Sequence, residues 1–280
     1  MLHSVPAGVL SYPTGPSIDS ILESRVLTWY AGTSTTTQTV TNNEASPADG
    51  SSQTTYDVRQ GTGTGSDSRD PTYDSTGKYY KQPTSSSLDF LTMEGFKTTT
   101  AFTNSLHKAG AEFTVEIGFN FQTAPGVVGV MASTAEDTND TGISFRQSSA
   151  QKIDIYFHKG TAGVFLFTRS GDDAISTGAH HFVFSGKAGD TSFGSLDGAY
   201  YTFNSGGNTF TLDYTTQTPS TGSSTHNWHF LTSLLDANLS GPRFGMGTNS
   251  GVGYFAVYNK AVSKAEADVL YTNAPSPFGE

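Results

Sequence analysis

Four groups of residues in this chain have types and spacings that could do chemistry. Glycoside hydrolysis on a strand needs carboxylates on one face, so that an acid and a nucleophile flank one bond. The run Lys152-Ile-Asp-Ile-Tyr-Phe157 places Asp154 where a middle carboxylate would stand, but Lys152 and Tyr156 occupy the flanking positions. Glu112 and Glu116 share a strand face and read as a solvated pair. No catalytic residue is assigned. His180 and His181 are adjacent, so on a strand they point to opposite faces and cannot share an ion; His226 and His229 face apart in the same way if extended. In Glu136-Asp-Thr-Asn-Asp-Thr-Gly142, oxygen ligands gather near a glycine, with Asp137, Asn139 and Asp140 the candidate calcium ligands. Counted from Asp137, the twelfth position, a bidentate glutamate in an EF-hand loop, is Ser148. The run reads first as an Asp/Asn turn, so no metal or other cofactor is expected, with calcium at this loop the open alternative. The glycines Gly61, Gly63 and Gly65 are not a dinucleotide fingerprint, since no strand precedes them and no helix follows.

Sugar binding would call on exposed aromatics beside Asn and Asp. Trp228, Tyr254, Tyr79 and Tyr80 lie near loops. Aromatics on sandwich strands are as a rule core, and the sequence does not separate the two, so no carbohydrate-binding residue is named.

The elements that must position these residues are strands. Glu112–Phe121 alternates throughout, with Phe113, Val115, Ile117, Phe119 and Phe121 on one face. Arg25–Tyr30, Ser87–Leu91, Gly126–Ala132, Gly142–Arg146, Ile153–Phe157, Val164–Arg169, His180–Ser185, Ala199–Phe203, Thr209–Tyr214 and Trp228–Leu234 read as further strands. Asn204-Ser-Gly-Gly-Asn208 is a hairpin turn. Tyr254–Tyr258 is apolar on both faces and so belongs at a sheet centre. From Thr33 to Lys78 apolar residues are scarce, and the stretch reads as a surface excursion, broken by a short strand near Thr54–Val58. One helix is marked, over 264–273. Ser263 and Glu266 have capping-box spacing, Val262 and Ala267 that of a hydrophobic staple, and Pro275 and Pro277 stop it. About a dozen strands and one short C-terminal helix make an all-β, two-sheet antiparallel sandwich.

Composition excludes several classes. The chain has 280 residues, no cysteine, 14% charged residues against the usual ~25%, and a net charge of -10. That rules out disulfide or thiolate chemistry and argues against nucleic acid, whose phosphates need a basic face. No run of about 18 apolar residues crosses a membrane, and the N-terminus lacks the basic and apolar regions of a secretion signal.

Three stretches resemble the LamG-like, concanavalin A-like jelly rolls. Glu112–Phe121 resembles the family's early strand. Gly178-Ala-His-His-Phe-Val-Phe-Ser-Gly186, with Leu196-Asp-Gly198 downstream, resembles its Trp-His-His strand and Asp-Gly turn, though Gly178-Ala179 stand where the tryptophan would be. Phe255-Ala-Val-Tyr-Asn-Lys-Ala-Val-Ser-Lys-Ala-Glu266 resembles its closing strand and helix, and is the most specific match. Asp70-Pro-Thr-Tyr-Asp-Ser75 is similar to a motif of LamG-type proteins of marine tailed bacteriophages. The resemblance covers roughly residues 25–274. It implies a jelly-roll sandwich there, with an arm at 1–24 and a tail at 275–280.

It also implies three functional expectations. The first is a non-catalytic structural protein on a phage virion, in head (capsid) decoration, tail or fibre, assembled in the host cytoplasm as an oligomer with copies of itself and other virion proteins, and able to hold a host surface glycan. The second is a carbohydrate-binding adhesion module of a secreted, extracellular protein. The third is a glycan hydrolase. The missing secretion signal favours the first. Within the arm, Val5, Val9, Leu10 and Ile18 are the expected anchors on a neighbouring subunit, the alternative being that the arm covers an edge of its own domain.

Overall fold

A computed structural model describes residues 15–31, 39–41, 58–61, 68–84, 88–93, 106–108, 111–135, 141–159, 164–169, 174–187, 192–201, 203–205, 208–209, 224, 228–232 and 244–279. Val5, Val9, Leu10, Asp137, Asn139, Asp140 and His226 lie outside the described residues. In chain order the elements are α1 (Ile18–Leu22), β1 (Arg25–Tyr30), β2 (Thr39–Thr41), β3 (Val58–Gln60), β4 (Thr72–Asp74), β5 (Tyr79–Lys81), β6 (Leu91–Met93), β7 (Glu112–Phe121), β8 (Val128–Ser133) and β9 (Thr141–Ser148). There follow β10 (Ile153–Lys159), β11 (Val164–Arg169), β12 (Gly178–Lys187), β13 (Phe193–Leu196), β14 (Ala199–Tyr201), β15 (Phe203–Ser205), β16 (Asn208–Thr209), β17 (His229–Phe230), β18 (Gly251–Tyr258) and α2 (Lys264–Asn273).

The strands form two antiparallel sheets. An eight-stranded sheet runs β14-β13-β12-β7-β18-β5-β4, with β1 also on β18; a ten-stranded sheet runs β16-β15-β11-β10-β9-β8-β17-β6-β3-β2. The alternation in β7 sends Phe113, Val115, Ile117, Phe119 and Phe121 into the space between the sheets. Rings from the two sheets meet there: Phe113 with Phe157 at 6.4 Å between centroids, Phe145 with Phe184 at 6.1 Å, and Trp29 edge-on to Phe230 at 5.0 Å. The two-faced apolar strand β18 is central, between β7 on one side and β1 with β5 on the other.

The excursion before Lys78 contributes more than expected. Val58 is buried in β3, and β4 with β5 forms a hairpin at the edge of the eight-stranded sheet. The hairpin turn holds because Asp74 accepts the Thr76 and Gly77 amides at 3.1 and 2.8 Å and pairs with Lys81 at 2.9 Å. Strands of three residues carry too little periodicity to be seen in a Thr- and Gly-rich stretch.

The outer face of the eight-stranded sheet is covered. Helix α2 begins as expected: the Glu266 amide donates to Ser263 Oγ at 3.3 Å, and the Ser263 amide donates to Glu266 Oε2 at 2.8 Å. Val262, Ala267 and Leu270 of this region enter a second core with Ile21, Val183, Tyr254, Ala256, Tyr258 and Phe278. The short helix α1, capped by Ser17, was not legible among the arm's prolines. Ile18 and Leu22 pack on this second core, so in the described part of the arm Ile18 packs on its own chain.

Candidate binding pocket under the two helices

Strand register assembles a polar cluster on the covered face. In the β7–β18 ladder, Tyr254 lies opposite Gly118 and Tyr258 opposite Thr114, so both are diagonal neighbours of Glu116. In the β7–β12 ladder, His181 also lies opposite Gly118, which makes it diagonal to Glu116 from the other side. Gly118 keeps the centre open: a Cβ there would come within 2.7 Å of the Phe278 ring and 2.9 Å of Tyr254 Cβ.

Glu116 is therefore not a solvated surface carboxylate. It is 1% exposed, because α1, α2 and the tail lie over its strand face. Its Oε2 accepts the hydroxyls of Tyr254 at 2.9 Å and Tyr258 at 2.6 Å, and its Oε1 lies 2.6 Å from His181 Nε2. Burial, reinforced by the Glu116 charge, pushes both phenols well above the usual tyrosine range, so both stay donors at neutral pH. Arg25 acts in the opposite direction on Tyr254.

Beside this cluster lies a pocket of about 180 Å³, partly open to solvent. Its floor is β1, β7 and β18, through Arg25, Thr28, Tyr30, Glu116, Tyr254 and Tyr258; its walls include Ile18, Leu22, Leu270, Asn273 and Pro275. The Arg25 Nε is buried with no hydrogen-bond partner among the described residues. Asn273 donates its amide to the Val269 carbonyl at 2.8 Å, which leaves its side-chain oxygen as an acceptor. The pocket thus offers a cation and an acceptor next to an apolar wall, while the Tyr30 hydroxyl, which donates to the Ser276 carbonyl at 3.4 Å, can still accept.

Two other arrangements resemble catalytic sites. On the far side of β12, His180 Nδ1 lies 2.7 Å from Asp197 Oδ2, with Ser176 Oγ 3.5 Å from Nε2. The Asp197-Gly198 turn, with both φ positive, fixes that carboxylate. Yet His180 Nε2 is closer, 2.9 Å, to the Ser176 carbonyl, to which it must donate. A nitrogen so occupied cannot take the serine proton, and the group ties a loop to a turn. The second is the outer row of the ten-stranded sheet, where Asp154 lies opposite Arg146 in the β9–β10 ladder. The Arg146 guanidinium stands 4.1 Å over the Tyr156 ring, and His158 Nε2 is 2.8 Å from Ser144 Oγ. Asp154's cross-strand neighbour is thus a guanidinium where a retaining or inverting pair would need a carboxylate.

Of the aromatics considered for sugar binding, Trp228 and Tyr80 are in the main core, and Tyr79 is buried with its hydroxyl on the Asn249 carbonyl at 3.1 Å. Tyr254 alone of the four reaches the pocket. His180 and His181 face apart as expected. Arg25, Tyr30, Glu116, Tyr258 and Asn273 were not named as site residues. The signal was Tyr254–Tyr258 itself, since a strand apolar on both faces needs a cover, and the cover makes the pocket. Among the described residues, no three His, Cys, Asp or Glu side chains gather as a metal site.

The fold and site define an antiparallel β-sandwich with a small polar pocket on one covered outer face. No protein-family model and no curated protein matches the chain. Among solved structures, it is similar to a botulinum neurotoxin type C structure from a study of cell entry dependent on two ganglioside molecules, with TM-score 0.57, 9% identity, and coverage of 91% of this chain and 52% of that one. It is similar to the same extent of coverage, with TM-score 0.58 and 9% identity, to the botulinum neurotoxin serotype D ligand-binding domain in complex with N-acetylneuraminic acid. The serotype D/C binding domain gives TM-score 0.54 and 11% identity over 89% of this chain and 52% of that one. The chain spans about half the length of these relatives, and the likeness is one of fold.

Proposed function

We propose that the chain is a non-catalytic, carbohydrate-binding β-sandwich displayed on the surface of a tailed-phage virion. The observation that carries the binding part is the pocket under α1 and α2. Sugar rings present hydroxyls at the edge and C–H groups on the faces, and this pocket pairs Arg25, Tyr30 and Asn273 with Ile18, Leu22 and Leu270. The neurotoxin structures of similar fold, one from a study of ganglioside-dependent cell entry and one in complex with N-acetylneuraminic acid, support the same class of ligand. The non-catalytic part rests on the occupied Nε2 of His180 and the guanidinium opposite Asp154. The virion part rests on the sequence resemblance of Asp70–Ser75 to a motif of LamG-type proteins of tailed bacteriophages, with a composition poor in charged residues.

The test is a glycan array followed by saturation-transfer NMR with purified protein. Binding is expected, and Asn273→Trp, which fills the pocket mouth at an exposed helix end, should abolish it. Absence of binding to any glycan, or binding untouched by that variant, overturns the reading. Mass spectrometry of purified particles tests the virion part; particles that encode the chain but lack its peptides would refute it.

A further inference from the structure

We infer that the pocket selects a sugar carrying a carboxylate, such as a uronic acid, with Arg25 as the discriminating residue; the inference rests on the carbohydrate-binding reading above. Arg25 lies at the start of β1, half-buried in the pocket floor. Its Nε–H is buried and unsatisfied, and none of the ion pairs among the described residues involves its guanidinium. With Nε closed to solvent, a ligand oxygen meets the guanidinium through its terminal N–H groups, and an unpaired charged donor gains from such a contact. A guanidinium presents parallel N–H groups that match the two oxygens of a carboxylate, a fit that a single hydroxyl does not reproduce.

The opposing charges are weaker. Glu116 is the carboxylate in the pocket lining, but its oxygens are taken by Tyr254, Tyr258 and His181. The C-terminal ends of α1 and α2 also border the pocket through Leu22 and Asn273. A helix end carries about half a charge at most, felt within one turn and screened by salt, whereas a guanidinium in direct contact carries a full one. Asn273 Oδ1 then serves a hydroxyl of the ring, and the Ile18, Leu22 and Leu270 side chains take its apolar face. A volume of about 180 Å³ matches the room of roughly six waters at ~30 Å³ each, which suits one sugar ring.

The experiment compares matched sugars that differ only at one carbon: glucose, glucuronic acid and glucuronamide, and the corresponding galactose series, by NMR titration and calorimetry on the whole chain. In at least one series the acid should bind tenfold or more tighter than both neutral members. Arg25→Gln should erase that preference, so that the acid binds no tighter than the neutral members of its series. Arg25→Lys, which keeps charge but loses the paired N–H geometry, should retain part of it, and it guards against a misfolded glutamine variant. Neutral and acidic sugars bound equally, with binding still lost in Asn273→Trp, would overturn the acid preference and leave the carbohydrate reading standing. No binding of any member would overturn the acid preference, and the wider reading then falls only if the glycan array is also blank.

Discussion

Glu116 shows how one side chain organises a face. Three donors converge on it from two neighbouring strands, so its charge is dispersed over a buried network. Replacing it by glutamine keeps the shape but turns one oxygen into a donor that faces another donor. Glu116→Gln should cost about 3 kcal/mol, the loss expected when a buried charged acceptor is removed and its donors are left unmatched. Urea unfolding measures it, and a change below about 1 kcal/mol would mean the network relaxes around the amide. Tyr258→Phe removes a single bond to the carboxylate and should cost less, about 1.5–3 kcal/mol.

At the scale of elements, α2 acts as the lid of the second core. Its start is set by Ser263, and Lys260 adds an ion pair to Glu266 at 2.5 Å. Burial alone would raise the Glu266 carboxyl, but Lys260 and the Ser263 hydrogen bonds outweigh it and hold the group below its usual value. Ser263→Ala should lower stability by about 1 kcal/mol, seen as a shifted denaturation midpoint at unchanged slope. Tyr200, whose hydroxyl donates to Asp268 and reaches the Lys264 carbonyl, ties the β13–β14 hairpin to the same helix. The tail is part of this lid as well. Phe278 is buried over Gly118 and Gly253, where a Cβ would fall 2.7 and 2.3 Å from its ring atoms.

At the scale of the whole molecule, tyrosines make the fold sensitive to alkali. Burial pushes the phenols of Tyr79 and Tyr80 up to about 12. A group whose folded value lies above its unfolded value near 10 favours the folded state below that pH. The contribution is complete below about pH 10 and is lost as pH rises through about 12. The protein should keep its stability to about pH 10 and lose it steeply between about pH 10 and 12, with tyrosinate absorbance appearing alongside unfolding. Ionisation of all tyrosines near pH 10 without unfolding would contradict the burial of these rings.

The sequence alone determined the class of fold and its two best-marked elements. Alternation in Glu112–Phe121 and the cap at Ser263 are local patterns, and each strand or helix must satisfy its own period before it meets a partner. It also contained the hint of a covered face, in a β18 that is apolar on both sides. Only the tertiary structure decided what that cover made. Glu116, His181, Tyr254 and Tyr258 are separated by up to 142 residues and meet because two ladder registers place them diagonally about Gly118. Register depends on the pairing of whole strands, and a shift of one residue would send the same side chains to the opposite face. A pocket built from diagonals and two short helices has no linear motif. Arg25 and Asn273, 248 positions apart, become neighbours of one cavity only after the sheet has closed.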